Sequence, residues 1–301
     1  MTKQVTVRVP ATTANLGPGF DSLGCALALY NTVSVALEGD SLCIEGCEAA
    51  YRGPENLAAA AYRAAMQQMG LPCEEGLHIV IRADIPVSRG LGSSAALLAA
   101  GALAASALHG DGLDRRALLG LCTVLEGHPD NLAPALYGGL TASMLEEKTP
   151  YTVSYRVHPS LHFVALIPDF ELSTRAARQV LPQQVSLADA VYNLSHTAVL
   201  ARAMETGDAP TVAAALRDRL HQPYRMGLIA HYEAARKAAL CCGALAYCVS
   251  GAGPTQLVLV QGEAQPFADR LRAALPGELS GWQVLPLAVE PCGAQVLSLQ
   301  A

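Results

Sequence analysis

The chain has 301 residues, 51% of them hydrophobic and only 15% charged, with 20 Lys and Arg against 26 Asp and Glu for a net charge of −6. Such a composition can bury a large core, excludes a disordered chain, and at this length favours two domains. The acidic balance argues against a surface that coats nucleic acid, and the longest apolar stretch, Ala95 to Leu108, falls short of the ~18 residues that a membrane-spanning helix needs. The opening Met1-Thr-Lys-Gln-Val-Thr-Val-Arg-Val alternates polar and apolar residues, a strand pattern without the apolar run of a signal peptide, so the expected address is the cytoplasm. The nine cysteines include no C-x-x-C pair, and in a chain of this size they read as reduced, buried thiols rather than a disulfide scaffold or a zinc motif.

In chain order, strands are expected at 4–9 and 31–37. A helix from Glu55 to the C′ glycine Gly70 follows, then a strand over Leu77–Ala83. That strand runs into Pro86-Val-Ser-Arg-Gly-Leu-Gly-Ser-Ser, after which an Ala/Leu helix reaches Leu108; Asp114 caps another helix that stops near Gly127. The charged stretch Glu146-Glu-Lys-Thr-Pro150 is the best linker candidate and divides the chain into domains 1–150 and 151–301. Beyond it the pattern predicts strands at 152–157 and 161–167 and a helix from Ser186, with Asp189 as its capping-box partner, to Glu205. Helices over 209–220 and 227–242, strands at 245–250 and 256–260, a helix at 264–275 and strands at 283–288 and 294–299 complete it. There is no internal repeat. Strands and helices mix without strict βαβ alternation, which argues for an α+β fold in two layers.

Four segments carry chemistry. In Pro86-Val-Ser-Arg-Gly90-Leu-Gly92-Ser-Ser-Ala-Ala96, glycines open directly into a helix, whose first N–H groups and positive dipole end suit phosphate; Ser94 is placed to reach a magnesium ion. It matches neither the Walker A loop nor G-x-G-x-x-G, and on physics alone an ordinary strand-to-helix turn is an equal reading. The second, Ser250-Gly-Ala-Gly-Pro-Thr255, reads as a tight turn or a second phosphate-friendly loop. The third, Glu126-Gly-His-Pro-Asp-Asn-Leu-Ala-Pro134, places carboxylates and an amide where Gly and Pro end a helix, either as caps or as a site. The fourth, Pro10-Ala-Thr-Thr-Ala-Asn-Leu-Gly-Pro-Gly-Phe-Asp21, is a polar loop, long for an idle connection.

These segments, in this order, resemble the GHMP small-molecule kinases. Glu126 through Gly139, Pro10 through Gly24, Ser173-Thr-Arg-Ala-Ala-Arg178 and Gln222-Pro-Tyr-Arg225 resemble the homoserine branch of that superfamily, over nearly the whole chain. The resemblance implies a two-domain α+β kinase, with an N-terminal half like ribosomal protein S5 and a ferredoxin-like C-terminal half. It implies ATP and Mg²⁺ as cofactors and transfer of phosphate to the hydroxyl of L-homoserine on the way to threonine. It further implies a homodimer, with no nucleic-acid or membrane partner.

By the same resemblance, Pro86, Val87, Ser88, Arg89, Gly90, Leu91, Gly92, Ser93, Ser94, Ala95 and Ala96 wrap the ATP phosphates, with Asn56 at the adenine end and Gly251 and Gly253 supporting the loop. Ser94 and Glu126 hold Mg²⁺. Asn15, Asp21 and Asp130 bind the polar end of homoserine, Arg178 and Arg225 its carboxylate, and Asn131 and Thr174 lie by the transferred phosphoryl group, where Asp130 also acts. Read from the residues alone, Asn56 is equally a helix cap, Arg178 and Arg225 are surface charges, and His128 and His196 are structural. No Lys occurs in the four segments, which disfavours activation through a Lys–Asp pair. Mevalonate or a sugar as acceptor, or a catalytically silent metabolite sensor, are the alternatives.

Overall fold

The computed structural model describes residues 3–73, 76–110 and 112–300. The N-terminal half runs β1 (Gln4–Ala14), β2 (Leu23–Ala36), β3 (Leu42–Glu45), α1 (Leu57–Gln68), β4 (Leu77–Ala83), α2 (Ser93–Leu108), α3 (Arg115–Glu126), α4 (Leu132–Tyr137), β5 (Leu140–Glu146) and β6 (Thr149–Tyr155). The remainder runs β7 (Leu161–Ile167), α5 (Thr174–Gln179), α6 (Leu187–Thr206), α7 (Ala209–Ala215), α8 (Gln222–Arg225), α9 (Tyr232–Cys241), β8 (Ala246–Val249), β9 (Gln256–Gln261), α10 (Ala264–Ala274), β10 (Gln283–Leu287) and β11 (Gln295–Gln300).

The first sheet has the order β11-β1-β2-β4-β3, with β5 pairing both β2 and β6. Its inner face carries Val5, Val7, Val9, Val33, Val35, Ile79 and Ile81; α2 lies against β1 and β2, and α1 packs on α2 in the same core. Helix α2 is buried on nearly every side, which is why its sequence is Ala/Leu-rich all round rather than amphipathic. The second sheet is antiparallel in the order β10-β7-β9-β8. With β7, helices, β8, β9, α10 and β10 in sequence, this is the ferredoxin-like arrangement.

Several local expectations change, among them β2, which begins at Leu23 rather than at 31. Strand β1 extends through Ala14: a register shift at Pro10/Ala11 lets Ala11 through Ala14 pair with Leu27 through Gly24, so the turn proper spans only 15–22. Glu146–Pro150 is not a linker. It is the turn of the β5–β6 hairpin, with Glu146 opposite Thr149, and a division at 150 cuts through β6. The helix expected over 209–220 stops at Ala215, because the Asp218 carboxylate takes the N–H groups of Leu220, His221 and Gln222 and starts α8 instead. The cysteines also divide differently: Cys25, Cys122 and Cys248 are buried, whereas Cys43, Cys73, Cys241 and Cys292 are exposed. No helix is long and apolar enough to cross a membrane among the described residues.

Candidate active site

Helix α2 begins without a capping side chain. Its N-cap is Gly92, left-handed at φ +71°, whereas α1, α3 and α6 are capped by the side chains of Asn56, Asp114 and Ser186. Its first-turn N–H groups therefore have no capping oxygen, and they combine with the helix dipole to favour an anion. The loop that leads there is held from both sides. The Leu91 carbonyl accepts from Thr12 N–H, Thr255 N–H reaches the Arg89 carbonyl, and Leu172 N–H reaches that of Ser88. The Ser250 hydroxyl lies 2.7 Å from the Gly90 carbonyl. A Cβ on Gly90 would sit 2.4 Å from the Ser250 carbonyl and 2.8 Å from that of Gly253. The loop at 250–255 thus braces the loop at 86–96, as the resemblance implies.

Arg89 departs from expectation. Its guanidinium donates to the carbonyls of Pro168, Asp169 and Val87 and lies 3.4 Å from Glu171, so it ties the loop to the segment after β7 rather than facing a phosphate. Asn56 is the cap that the residues alone suggest: Oδ1 accepts from Ala58 and Ala59 N–H, and Nδ2 donates to the Tyr51 carbonyl.

At the mouth of α2, the Ser94 hydroxyl donates to Glu126 Oε2 at 2.7 Å, which joins the start of α2 to the end of α3. Beside it, Thr12 donates to Asn131 Oδ1 at 2.8 Å, and both side chains press on Gly92. Asp130 is 1% exposed. Its Oδ1 accepts from Asn131 N–H and lies 2.5 Å from His128 Nδ1, while its Oδ2 is buried with no hydrogen-bond partner. A buried carboxylate oxygen without a donor carries a desolvation cost of about 1–3 kcal/mol or more. It marks the place where a donor from a substrate fits.

From the residues alone His128 is a turn histidine, and this contact emerges only in the fold. The i, i+2 spacing across Pro129 was its one sequence signal. Burial pulls the His128 pKa down, but the hydrogen bond to Asp130 and the charges of Asp130 and Glu126 outweigh it, and the net shift is upward. A histidine whose folded-state pKa is raised adds stability that is fully present below its unfolded value, about 6.5. That stability fades as pH rises through the folded-state pKa. In urea titrations across pH 5 to 9, wild type should lose stability relative to His128→Gln as pH increases; a constant gap would show that the imidazolium–carboxylate pair adds nothing.

Close enough to feel the Asp130 charge, Arg178 makes a two-pronged pair with Asp21, at 2.8 and 3.0 Å. The resemblance implies different ends of a substrate for this acid and this arginine; the fold pairs them with each other. Asn15 Oδ1 accepts from Asp21 N–H, and both residues adopt left-handed backbone, which fixes the tight 15–22 turn. Arg225 is not a surface charge. It is 1% exposed, and it donates to the Ala177 and Gly251 carbonyls and to His221 Nδ1. His221 is buried and its pKa is lowered, chiefly by burial; its Nε2 meets the Gly17 carbonyl at 2.8 Å. Both guanidinium groups lie over the Phe20 ring, 5.7 Å away for Arg178 and 5.2 Å for Arg225. Burial and the neighbouring Arg178 charge lower the Arg225 pKa to about 10, which leaves it cationic at neutral pH. Phe20 is thus a neighbour of both cations, and the Asp21 carboxylate already answers Arg178. Thr174 is exposed at the start of α5, one turn before Arg178, and no hydrogen bond joins it to the other candidate residues.

Comparison with known proteins identifies the family. The GHMP kinase N-terminal domain matches residues 56–139 and the GHMP kinase C-terminal domain residues 200–277. A homoserine kinase of Clostridium botulinum (strain Okra / Type B1) is 40% identical over 97% of this chain and 98% of its own. One of Synechococcus sp. is 42% identical over 98% of this chain and 95% of its own. The crystal structure of homoserine kinase from Cytophaga hutchinsonii superposes with a TM-score of 0.87 at 28% identity, covering 98% of this chain and 97% of that one. The capless glycine-rich helix start, the buried acid beside it and full-length relatives at this identity lead to one family: the chain belongs to the homoserine kinases, a branch of the GHMP kinases.

Proposed function

We propose that this protein transfers the γ-phosphoryl group of ATP to the hydroxyl of L-homoserine. The observation that carries the reading is the juxtaposition at Gly92. The uncapped α2 start that suits phosphate abuts Asn131, and Asn131 adjoins Asp130, whose buried oxygen lacks a donor. A phosphate site and a site for a polar small molecule therefore share a wall.

Homoserine carries an ammonium, a carboxylate and a terminal hydroxyl. A zwitterion entering beside the Asp21–Arg178 pair can offer its carboxylate to the arginines and its ammonium to the acids, so that each charge keeps a partner. The hydroxyl oxygen forms the new bond to the γ-phosphorus, the bond from that phosphorus to the β–γ bridging oxygen breaks, and ADP leaves. The hydroxyl proton ends on a phosphoryl oxygen, directly or relayed by Asn131. Phosphoryl transfer depends mostly on positioning and on neutralising charge, which the α2 N-terminus and the arginines supply.

Ser94 and Glu126 offer adjacent hard oxygen donors at the phosphate end, a set that fits Mg²⁺. A magnesium ion held there would neutralise phosphate charge. Glu126→Gln keeps the shape and removes one negative charge, so turnover should fall about 10- to 100-fold at limiting Mg²⁺ and recover partly with excess. Unchanged turnover would take Glu126 out of the metal site.

The decisive assay compares ATP turnover with homoserine, mevalonate and galactose. Homoserine should be strongly preferred, whereas a preference for either other acceptor, or no turnover at all, would refute the reading. A cytoplasmic homodimer belongs to the same proposal, and sedimentation of the purified chain tests the dimer.

A further inference from the structure

We propose that the outer face of the β3–β4 pair forms a zinc-class metal site made of Cys43, Glu45 and His78, with Glu38 holding the histidine from behind. Strand alternation places the parts. Ile44 and Ile79 enter the core, so Cys43 and Glu45 of β3 and His78 of β4 point outward, and the parallel register sets Cys43 directly against His78. One ligand atom from each of the three lies within 4.8 Å of the others. Among the described residues this is the only group of three or more His, Cys, Asp or Glu that converges in this way.

The two carboxylates meet the imidazole differently. Glu38 Oε1 is 2.6 Å from Nδ1, a short charge-assisted hydrogen bond. Glu45 Oε1 is 3.2 Å from Nε2, longer than such a bond prefers. A tetrahedral zinc with bonds of about 2.0–2.3 Å sets neighbouring ligand atoms about 3.3–3.6 Å apart, and the Glu45–His78 spacing is close to that edge. Glu38 then plays the part that carboxylates commonly take toward metal-bound histidines, fixing the tautomer and the ring.

A thiolate, an imidazole and one carboxylate suit zinc and its borderline neighbours. They do not suit magnesium, which wants six oxygens. Binding requires the Cys43 thiol to release its proton to solvent, together with any proton that the two carboxylates hold on His78 Nε2. The fourth position stays open to water. His78 and the far end of β4 are separated by roughly 17 Å of strand at about 3.3 Å per residue, and the ATP loop lies beyond that end. The site is thus remote from the kinase centre. It would clip the short edge strand β3 to β4 and to the segment after β2.

The full chain, stripped with chelator and kept reduced, is titrated with Zn²⁺ by calorimetry and with Co²⁺ by absorption. One Zn²⁺ per chain is expected, together with a thiolate-to-cobalt charge-transfer band. Cys43→Ser should abolish the band, and His78→Gln should weaken Zn²⁺ binding by about 100-fold or more. Glu38→Gln should weaken it by about 10- to 100-fold, the usual effect of losing such a supporting carboxylate. Glu126→Gln should leave Zn²⁺ binding intact, and the three variants at 38, 43 and 78 should keep wild-type turnover with ATP and homoserine. Absence of the band in the wild type, or unchanged Zn²⁺ affinity in His78→Gln or Cys43→Ser, overturns the proposal; circular dichroism of each variant confirms that it is folded.

Discussion

Gly92→Val is expected to abolish ATP binding and to destabilise the N-terminal half. Position 92 needs a left-handed backbone at φ +71°, and a Cβ there would lie 1.9 Å from the Thr12 hydroxyl and 3.2 Å from Asn131 Oδ1. Both side chains are fixed, Thr12 by a buried strand and Asn131 by its bond to Thr12. The start of α2 must therefore shift. A β-branched residue forced into this backbone, together with such a clash, costs about 2–4 kcal/mol. The same shift turns the first-turn N–H groups away from a phosphate. Calorimetric titration with an ATP analogue should show no binding in a variant that still melts cooperatively, and normal affinity would mean that the 90–94 loop does not touch nucleotide. Gly92→Ala should lie between the two.

Arg225→Leu should raise the KM for homoserine by about 10- to 150-fold while changing the KM for ATP little. A charge-assisted hydrogen bond contributes roughly 1.5–3 kcal/mol, and each 1.4 kcal/mol is a factor of ten. Among the described residues Nε and Nη1 of Arg225 are engaged and Nη2 meets no acceptor, so one nitrogen is free for a carboxylate. The fold adds a second effect. Leucine would strand the carbonyls of Ala177 and Gly251 in a dry interior, at about 1–3 kcal/mol each, so a fall in unfolding free energy of a few kcal/mol should accompany the kinetic loss. Kinetics measured well below the variant's melting temperature separate the two. An unchanged KM for homoserine in folded protein would leave Arg225 only its internal bonds.

The distribution of what the sequence revealed has physical causes. Period and caps are local, so Asp114, Ser186 and Gly127 mark helix ends as expected. The continuation of β1 past Pro10 was hidden because Pro and Thr-Thr imitate a turn when the pairing partner, Gly24 to Leu27, is not yet known. The glycine-rich loop at the start of α2 could be read as a strand-to-helix turn because its glycines and the helix start are neighbours in sequence. The Asp21–Arg178 pair could not, since 157 positions separate its members and only the packing of α5 against the 15–22 turn joins them. Arg225 looks solvent-facing in sequence because a short helix of Gln, Pro, Tyr and Arg shows no apolar stripe; in the fold its guanidinium is held by the Gly251 and Ala177 carbonyls, which belong to other elements. Glu126 and Ser94 illustrate the middle case. Each was a plausible oxygen donor alone, and their 2.7 Å contact makes them a pair.

Strand β11 closes the first sheet against β1, with Gln4 opposite Gln300 and the Arg8 guanidinium on Gln295, 287 positions along the chain. The segment before it is stitched in as well, through Glu290 to Ala26 and Ala294 to Ala135. On a ribosome adding about 5–20 residues per second, β1 would emerge roughly a quarter of a minute to a minute before its outer neighbour exists. For that interval β1 is an edge, with a row of free amide and carbonyl groups beside alternating valines, and such an edge invites pairing with another nascent chain. The second sheet closes without borrowing any strand from the first, so it can mature while the older half waits. Synthesis order and assembly order are therefore partly inverted in this enzyme, and its yield in a cell should respond to chaperones that shield strand edges more than to the stability of the finished protein.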